Sequence, residues 1–297
     1  MGGTAFGNFH DFCRDSTLPI CNLFNESPTK GGPGFGHCQL TGISLSHGRH
    51  LSNLGSILLC GLAIVVTLFL IWRSDRKQAA VGRREMQLFL LCYVIIEICE
   101  IFTVGGFPLK GKVRIGFTAV HLGMIAATFW ILFLNAIVGF QLLDDGTPTS
   151  LALVLGSAAA IFIGTGYIAL DTGFNWTGHF HRSLTAPNKN VGLYVLYQLF
   201  PLVCLAAYFI LESILVLRVL GERRPMIYLA AAGLLFAIAQ IFEYVISAHI
   251  CSGTHGKIDG ALFETFFVLC SVVMLWVFWS SITEDDWPAP GPDGAYT

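Results

Sequence analysis

Seven separate stretches of about 20 or more mostly apolar residues run through this chain, at 51–72, 86–105, 115–143, 151–170, 191–217, 226–249 and 260–282. Nothing else in the sequence constrains the fold as strongly. A hydrocarbon core about 30 Å thick is crossed by about 20 helical residues, and a single segment satisfies its own backbone there only as a helix. The composition agrees, with 54% hydrophobic and 12% charged residues and a mean hydropathy of +0.67. A chain of 297 residues cannot hide that much apolar surface in one interior, so a soluble enzyme is excluded. The net charge of −2, with no isolated basic block, also argues against nucleic acid as a partner. The expected fold is an all-α, seven-helix bundle in the lipid bilayer. It forms one domain over 51–283, between an N-terminal tail (1–50) and a short acidic, Pro/Gly-rich tail (284–297).

Orientation follows from charge next to the first span. Residues 1–50 hold no apolar run of a secretory signal peptide, so the first span is expected to insert itself. The tally of Lys and Arg over all loops divides almost evenly. The first loop, however, carries Arg73, Arg76, Lys77, Arg83 and Arg84, and the first helix usually dominates orientation. This predicts a lumenal N-terminus and a cytoplasmic C-terminus. Both N-x-S/T sequons, at Asn25 and Asn175, then fall on the lumenal side as glycosylation candidates, Pro28 making the first the poorer. Trp72, Tyr228, Trp276 and Trp279 are expected at the cytoplasmic interface, with Tyr194 and Tyr197 at the lumenal one.

Of nine cysteines, Cys60, Cys92, Cys99, Cys204 and Cys270 lie within spans and read as small packing residues. Cys13, Cys21, Cys38 and Cys251 fall on the lumenal side, where an oxidising compartment allows two disulfides in any of three connectivities; at least one bridge tying the N-terminal tail down is expected, four unpaired thiols being the alternative.

Acidic residues inside spans are the usual markers of function, and here they are Glu97, Glu100, Glu212, Glu243 and Glu264. Glu97 and Glu100 share one helix face, so they must point into the bundle or share a proton. At about 1.5 Å per residue, Glu100, His121, Glu243 and Glu264 lie at similar depth below the lumenal end. Such a layer could hold a metal and hydrolyse a lipid. The plainer reading is a hydrated vestibule or helix-ordering hydrogen bonds, and no HExxH or GxSxG supports catalysis. His179 and His181 are two apart and read as solvated. The fourth span places Ala152, Gly156, Ala160 and Gly164 at every fourth position, a smooth stripe for close helix approach. Packing inside the bundle is the preferred role for it, and a docking groove for a foreign helix the alternative. After the last span, Glu284, Asp285 and Asp286 form an acidic cluster, a candidate for binding vesicle coat machinery or simply a solvated helix end.

Six stretches carry a family resemblance. They are FHDFCRDSTLPIC (with Phe9, Phe12, Cys13, Leu18, Pro19, Cys21), AVGRREM (Ala80 to Met86), GFQLLDDGTPTS (Gly139 to Ser150), QIFEYVISAHIC (Gln240 to Cys251), KIDGALFET (Lys257 to Thr265) and FWSSITEDDW (Phe278 to Trp287). In this order, and nearly end to end, the chain resembles the fungal chitin synthase export chaperones. The resemblance implies a non-enzymatic, multi-pass protein of the endoplasmic reticulum, without cofactor, that a chitin synthase needs in order to assemble and leave for the cell surface. Small-residue stripes and buried carboxylates, Gly156, Ala160, Gly164, Glu97 and Glu100 among them, are then candidates for client contact or for packing within the bundle. The rival expectations are a metal-dependent lipid hydrolase built on the Glu/His layer and a seven-helix receptor.

Overall fold

The computed structural model describes residues 6–24, 40–45, 49–141, 146–180 and 189–283. A short helix, α1 (His10–Asp15), precedes a 3-10 turn (Pro19–Leu23) and a two-stranded antiparallel hairpin, β1 (Ile43–Leu45) and β2 (Arg49–Leu51). Seven helices long and apolar enough to cross a membrane follow. They are α2 (Leu54–Asp75), α3 (Arg83–Thr103), α4 (Gly111–Gly139), α5 (Pro148–Phe174), α6 (Val191–Leu220), α7 (Arg224–Gly253) and α8 (Gly260–Ser281). The fold is therefore the all-α bundle that the apolar runs require.

Local chemistry sets the helix ends. The side chains of Asn53, Thr147 and Asn190 accept the backbone N–H groups of Ser56, Ser150 and Leu193, capping α2, α5 and α6 in that order. Pro148 and Pro225 sit in the first turns of α5 and α7, where a missing N–H costs nothing. Gly221, at φ +70°, lets α6 turn back within three residues into α7.

Packing is an arc rather than a closed ring. Helix α4 lies at the centre against α3, α5 and α6, while α8 lies against α7 and α2, and α2 against α3. Helix α5 is peripheral and the least buried of the seven. Helices α6 and α7 are neighbours in sequence, yet among the described residues they pack against α4 and α8 rather than along each other. They meet where the Phe209 ring covers Gly233, and again where Tyr244 Oη donates to Gln198 Oε1 at 3.0 Å. Gly233 and Tyr244 are about 16 Å apart along α7 at the helical rise.

At one end of the bundle, tryptophans tie helices together. Trp276 Nε1 donates to Ser74 Oγ at 2.7 Å and Trp279 Nε1 to the Val81 carbonyl at 3.0 Å, and both rings are buried. The expected interfacial belt is corrected at these two positions: an indole N–H in an apolar core must find an acceptor, and the polar ends of α2 and the α2–α3 loop supply it. Trp72 is exposed as a belt residue would be, with the Arg76 guanidinium 4.0 Å from its ring.

At the opposite end, the N-terminal segment is not a loose tail. Phe9, Ile20, Leu23 and Phe24 are buried against Ala119, Leu122, Ala169 and Leu193, forming a second apolar core over the helix ends. Cys13 and Cys21 are joined by a disulfide that closes this segment on itself. Cys251 is buried and disulfide-bonded as well, whereas Cys38 lies outside the described residues. We call residues 6–24 the plug.

Candidate functional site

The plug closes a cavity of about 390 Å³ inside the bundle. Its roof is Thr17, Leu18 and Pro19; its walls come from α3, α4, α6, α7 and α8, and its deep end is apolar, with Leu132, Val272 and Leu275. Into this space the helices bring Glu97, Glu100, His121, Glu243 and Glu264, together with Tyr93, Tyr197, Gln198, Gln240 and Tyr244.

Each acid is placed by its own helix. Glu97 and Glu100 are one turn apart on α3; Glu100 Oε1 accepts from Thr265 Oγ1 of α8 at 2.8 Å, which joins two helices across the cavity. Glu97 Oε2 is buried without a hydrogen-bond partner. His121 of α4 has its Nδ1 2.9 Å from Thr103 Oγ1, and that hydroxyl is also 2.9 Å from the Cys99 carbonyl, which ties the imidazole to α3. Glu243 lies in a π-helical stretch of α7 (Phe242–Ile246), and neither of its oxygens makes a hydrogen bond of good geometry, although the backbone N–H of Thr17 in the roof interacts with the carboxyl.

A second π-helical stretch, Tyr194–Leu199 in α6, carries Tyr197 and Gln198 into the same cavity. Its cause is Pro201, whose ring would clash with the carbonyl four residues back in a regular helix; the wider turn relieves this. In α7 the widened turn coincides with the close approach of α8. Gly260 N–H donates to Ser247 Oγ at 3.0 Å, and a Cβ on Gly260 would overlap the Phe242 carbonyl oxygen.

The roof is locked to the bundle by Asp259, which precedes α8. Its Oδ2 accepts from Thr17 Oγ1 at 3.1 Å and its Oδ1 from Asn53 Nδ2 at 2.7 Å, and all three residues are buried. Asn22 Nδ2 adds a bond to the Thr103 carbonyl at 3.1 Å. Burial pushes the Asp259 carboxyl above its ordinary value, and the bonds from Thr17 and Asn53 offset only part of that. The native state therefore holds this proton more tightly than the unfolded chain does. The lock contributes most to stability below the ordinary carboxylate pKa and contributes less as pH rises through the raised one. Asp259→Ala, which strands Asn53 Nδ2 and Thr17 Oγ1, is expected to cost about 2 to 4 kcal/mol of stability. Asp259→Asn is expected to be more stable than the natural protein at neutral pH, with the gain vanishing on acidification. Thermal unfolding in detergent at two pH values checks both.

The Glu100, His121, Glu243 and Glu264 layer shares the cavity, but its ligand atoms do not converge as a metal centre would require. Among the described residues the one metal-like grouping is Cys60, Glu97 and Glu100, whose ligand atoms lie within 4.8 Å of one another. The small-residue stripe is also corrected. Ala152, Gly156, Ala160 and Gly164 are exposed on the outer face of α5, and a Cβ on either glycine would meet no atom within 4 Å; Val154, Ala158, Thr165 and Ala169 face the bundle instead. Asn175, at φ 52°, ends α5 and is exposed at the plug end, with the hydroxyl of Thr177 donated to Asp171 Oδ2 at 2.9 Å. Glu212 is buried on α6 away from the cavity lining. His179 is exposed, while Asn25, His181, Glu284, Asp285 and Asp286 lie outside the described residues.

Comparison with known proteins gives this arrangement a family. The model of the chitin synthase export chaperone family matches residues 5–291. The chain belongs to that family. Proteins named chitin synthase export chaperone are similar to it along most of their length. The one from Coccidioides immitis is 30% identical over 95% of this chain and 84% of its own, and the one from Chaetomium globosum 32% identical over 95% and 84%. That from Cryptococcus neoformans is 30% identical over 95% of this chain and 75% of its own. No solved structure matches.

In this member of the export chaperone family, the stretches that carry the resemblance have definite places. FHDFCRDSTLPIC is the plug, QIFEYVISAHIC holds Glu243 in the widened turn of α7, and KIDGALFET supplies the lock, Gly260, Glu264 and Thr265. AVGRREM and FWSS meet at the far end through Trp279 and Val81. The plug, the lock and the widened turns escaped sequence reasoning. Phe9, Pro19 and Ile20 are spaced too irregularly for any helical or strand period, and only Pro201 pointed to a disturbed helix.

Proposed function

We propose that this protein is the intramembrane chaperone of a chitin synthase in the endoplasmic reticulum, holding the client's spans until the synthase can leave for the cell surface and lay down chitin in the fungal wall. Family membership carries the functional part of this reading, and the names of the relatives suggest a protein without catalysis of its own. The outward stripe of α5 carries the intramembrane part. In lipid, helices associate through close backbone approach rather than through hydrophobic expulsion, so a bare run of Ala152, Gly156, Ala160 and Gly164 is the face on which a client helix would gain most. The hydrolase alternative has little support, since its supposed donor set does not converge.

A lumenal plug and a cytoplasmic C-terminus fit this reading. The Cys13–Cys21 disulfide suits an oxidising compartment, and Asn175 is exposed at the same end. Expression in a fungal host is expected to give a glycosidase-sensitive species that Asn175→Gln removes. A chain unglycosylated at Asn175, with its C-terminus protected from cytosolic protease, would overturn the orientation. The functional reading is tested by deleting the gene: chitin synthase is expected to remain in the endoplasmic reticulum, and normal arrival at the surface would refute it.

A further inference from the structure

The described residues lining the cavity include four acidic side chains and no Lys or Arg to pair with them. Glu97 and Glu243 are buried, line the space, and present three carboxylate oxygens that make no hydrogen bond of good geometry; Glu264 faces the same space. A carboxyl buried without a partner avoids carrying charge, so an ammonium group that pairs with it enters as one proton leaves, and the ion pair replaces a neutral acid. Phe89, Phe129 and Tyr244 also line the space, and aromatic rings attract organic ammonium groups.

Access is from the side. The plug covers the roof, and the deep end is apolar. Leu202 of α6 lines the cavity and is also 60% exposed on the outer surface, between the two points where α6 and α7 touch. An opening at Leu202 would face the acyl chains of the bilayer. A ligand arriving by that route must be membrane-soluble. With four acidic side chains, one histidine and no Lys or Arg among the described residues that line the cavity, a positively charged group suits it better than a phosphate-bearing phospholipid headgroup. The volume of about 390 Å³ suits one chain rather than two.

We propose that the cavity is a binding site for a single-chain organic cation, a long-chain primary amine drawn from the bilayer through this opening between α6 and α7. Its ammonium sits against Glu97 and Glu243, and its chain runs past Leu202. This goes beyond the chaperone reading and is tested without the client. Purified full-length protein in neutral detergent is titrated with radiolabelled dodecylamine below its micelle concentration, with dodecanol as the uncharged competitor. Saturable binding of one amine per chain is expected, without competition by dodecanol. Glu243→Gln, alone or with Glu97→Gln, is expected to weaken it at least ten-fold. Glu212→Gln, a buried acid outside the cavity, is expected to leave it unchanged. Leu202→Trp, at an outward position that does not threaten folding, is expected to weaken it by a similar factor by filling the opening; it decides the matter if the glutamine variants do not fold. Equal competition by dodecanol, unaltered binding in Glu243→Gln or Leu202→Trp, or no saturable binding overturns the proposal. So does a crosslinker at position 202 that captures a lysine of a bound chitin synthase undisplaced by amine, which would make the ligand a protein side chain.

Discussion

A chain carrying leucine at both Gly156 and Gly164 is expected to keep its fold and lose its client, with chitin synthase recovered on purification reduced at least ten-fold. The two glycines face outward from α5 and touch nothing within 4 Å, so the larger side chains displace no protein atom. Leucine is also the better helix former by several tenths of a kcal/mol, and thermal stability is expected to be unchanged or slightly raised. What the side chains remove is the close approach of a second backbone, and a ten-fold loss corresponds to about 1.4 kcal/mol of association energy. Co-purification in mild detergent, with unfolding of the isolated variant measured in parallel, checks it. Undiminished recovery would move the client off this face.

Gly260→Ala is expected to have the opposite profile, a severe loss of stability from one methyl group. The new Cβ would overlap the Phe242 carbonyl and crowd Ser247 Cβ and Oγ, so the start of α8 must move. Overpacking of this kind costs about 1 to 3 kcal/mol. The displacement also pulls Gly260 N–H off Ser247 Oγ and strains the Thr265–Glu100 bond one turn later. Each buried group left unpaired adds about 1 to 3 kcal/mol. Ser247→Gly is expected to rescue only part of the loss, because the carbonyl remains in the way. Gly116→Ala, where nothing lies within 4 Å, serves as the harmless control. Thermal unfolding midpoints of the three variants settle the comparison.

The seven helices were legible because the bilayer demands long apolar runs, and such runs have few other uses. The side of α5 that bears the stripe was not legible. In a helix apolar all round, small residues every fourth position satisfy lipid and protein neighbours alike, so periodicity gives no direction. Trp276 and Trp279 were misread for a related reason: interfacial and buried tryptophans occupy the same helix-end positions, and only the Ser74 and Val81 acceptors, distant in sequence, tell them apart. Depth arithmetic put Glu100, His121, Glu243 and Glu264 at one level, but it contained neither the order of helices around the arc nor the π-helical turn that re-aims Glu243.

The plug also has a consequence for how the molecule is made. Thr17 emerges from synthesis 242 residues before its partner Asp259. Until the last helix has been threaded into the membrane there is nothing for the plug to seat on, so every nascent or truncated molecule carries an unstoppered interior. Seating of the plug thus reports that the helix following Asp259 is in place, a difference that a quality-control factor could read.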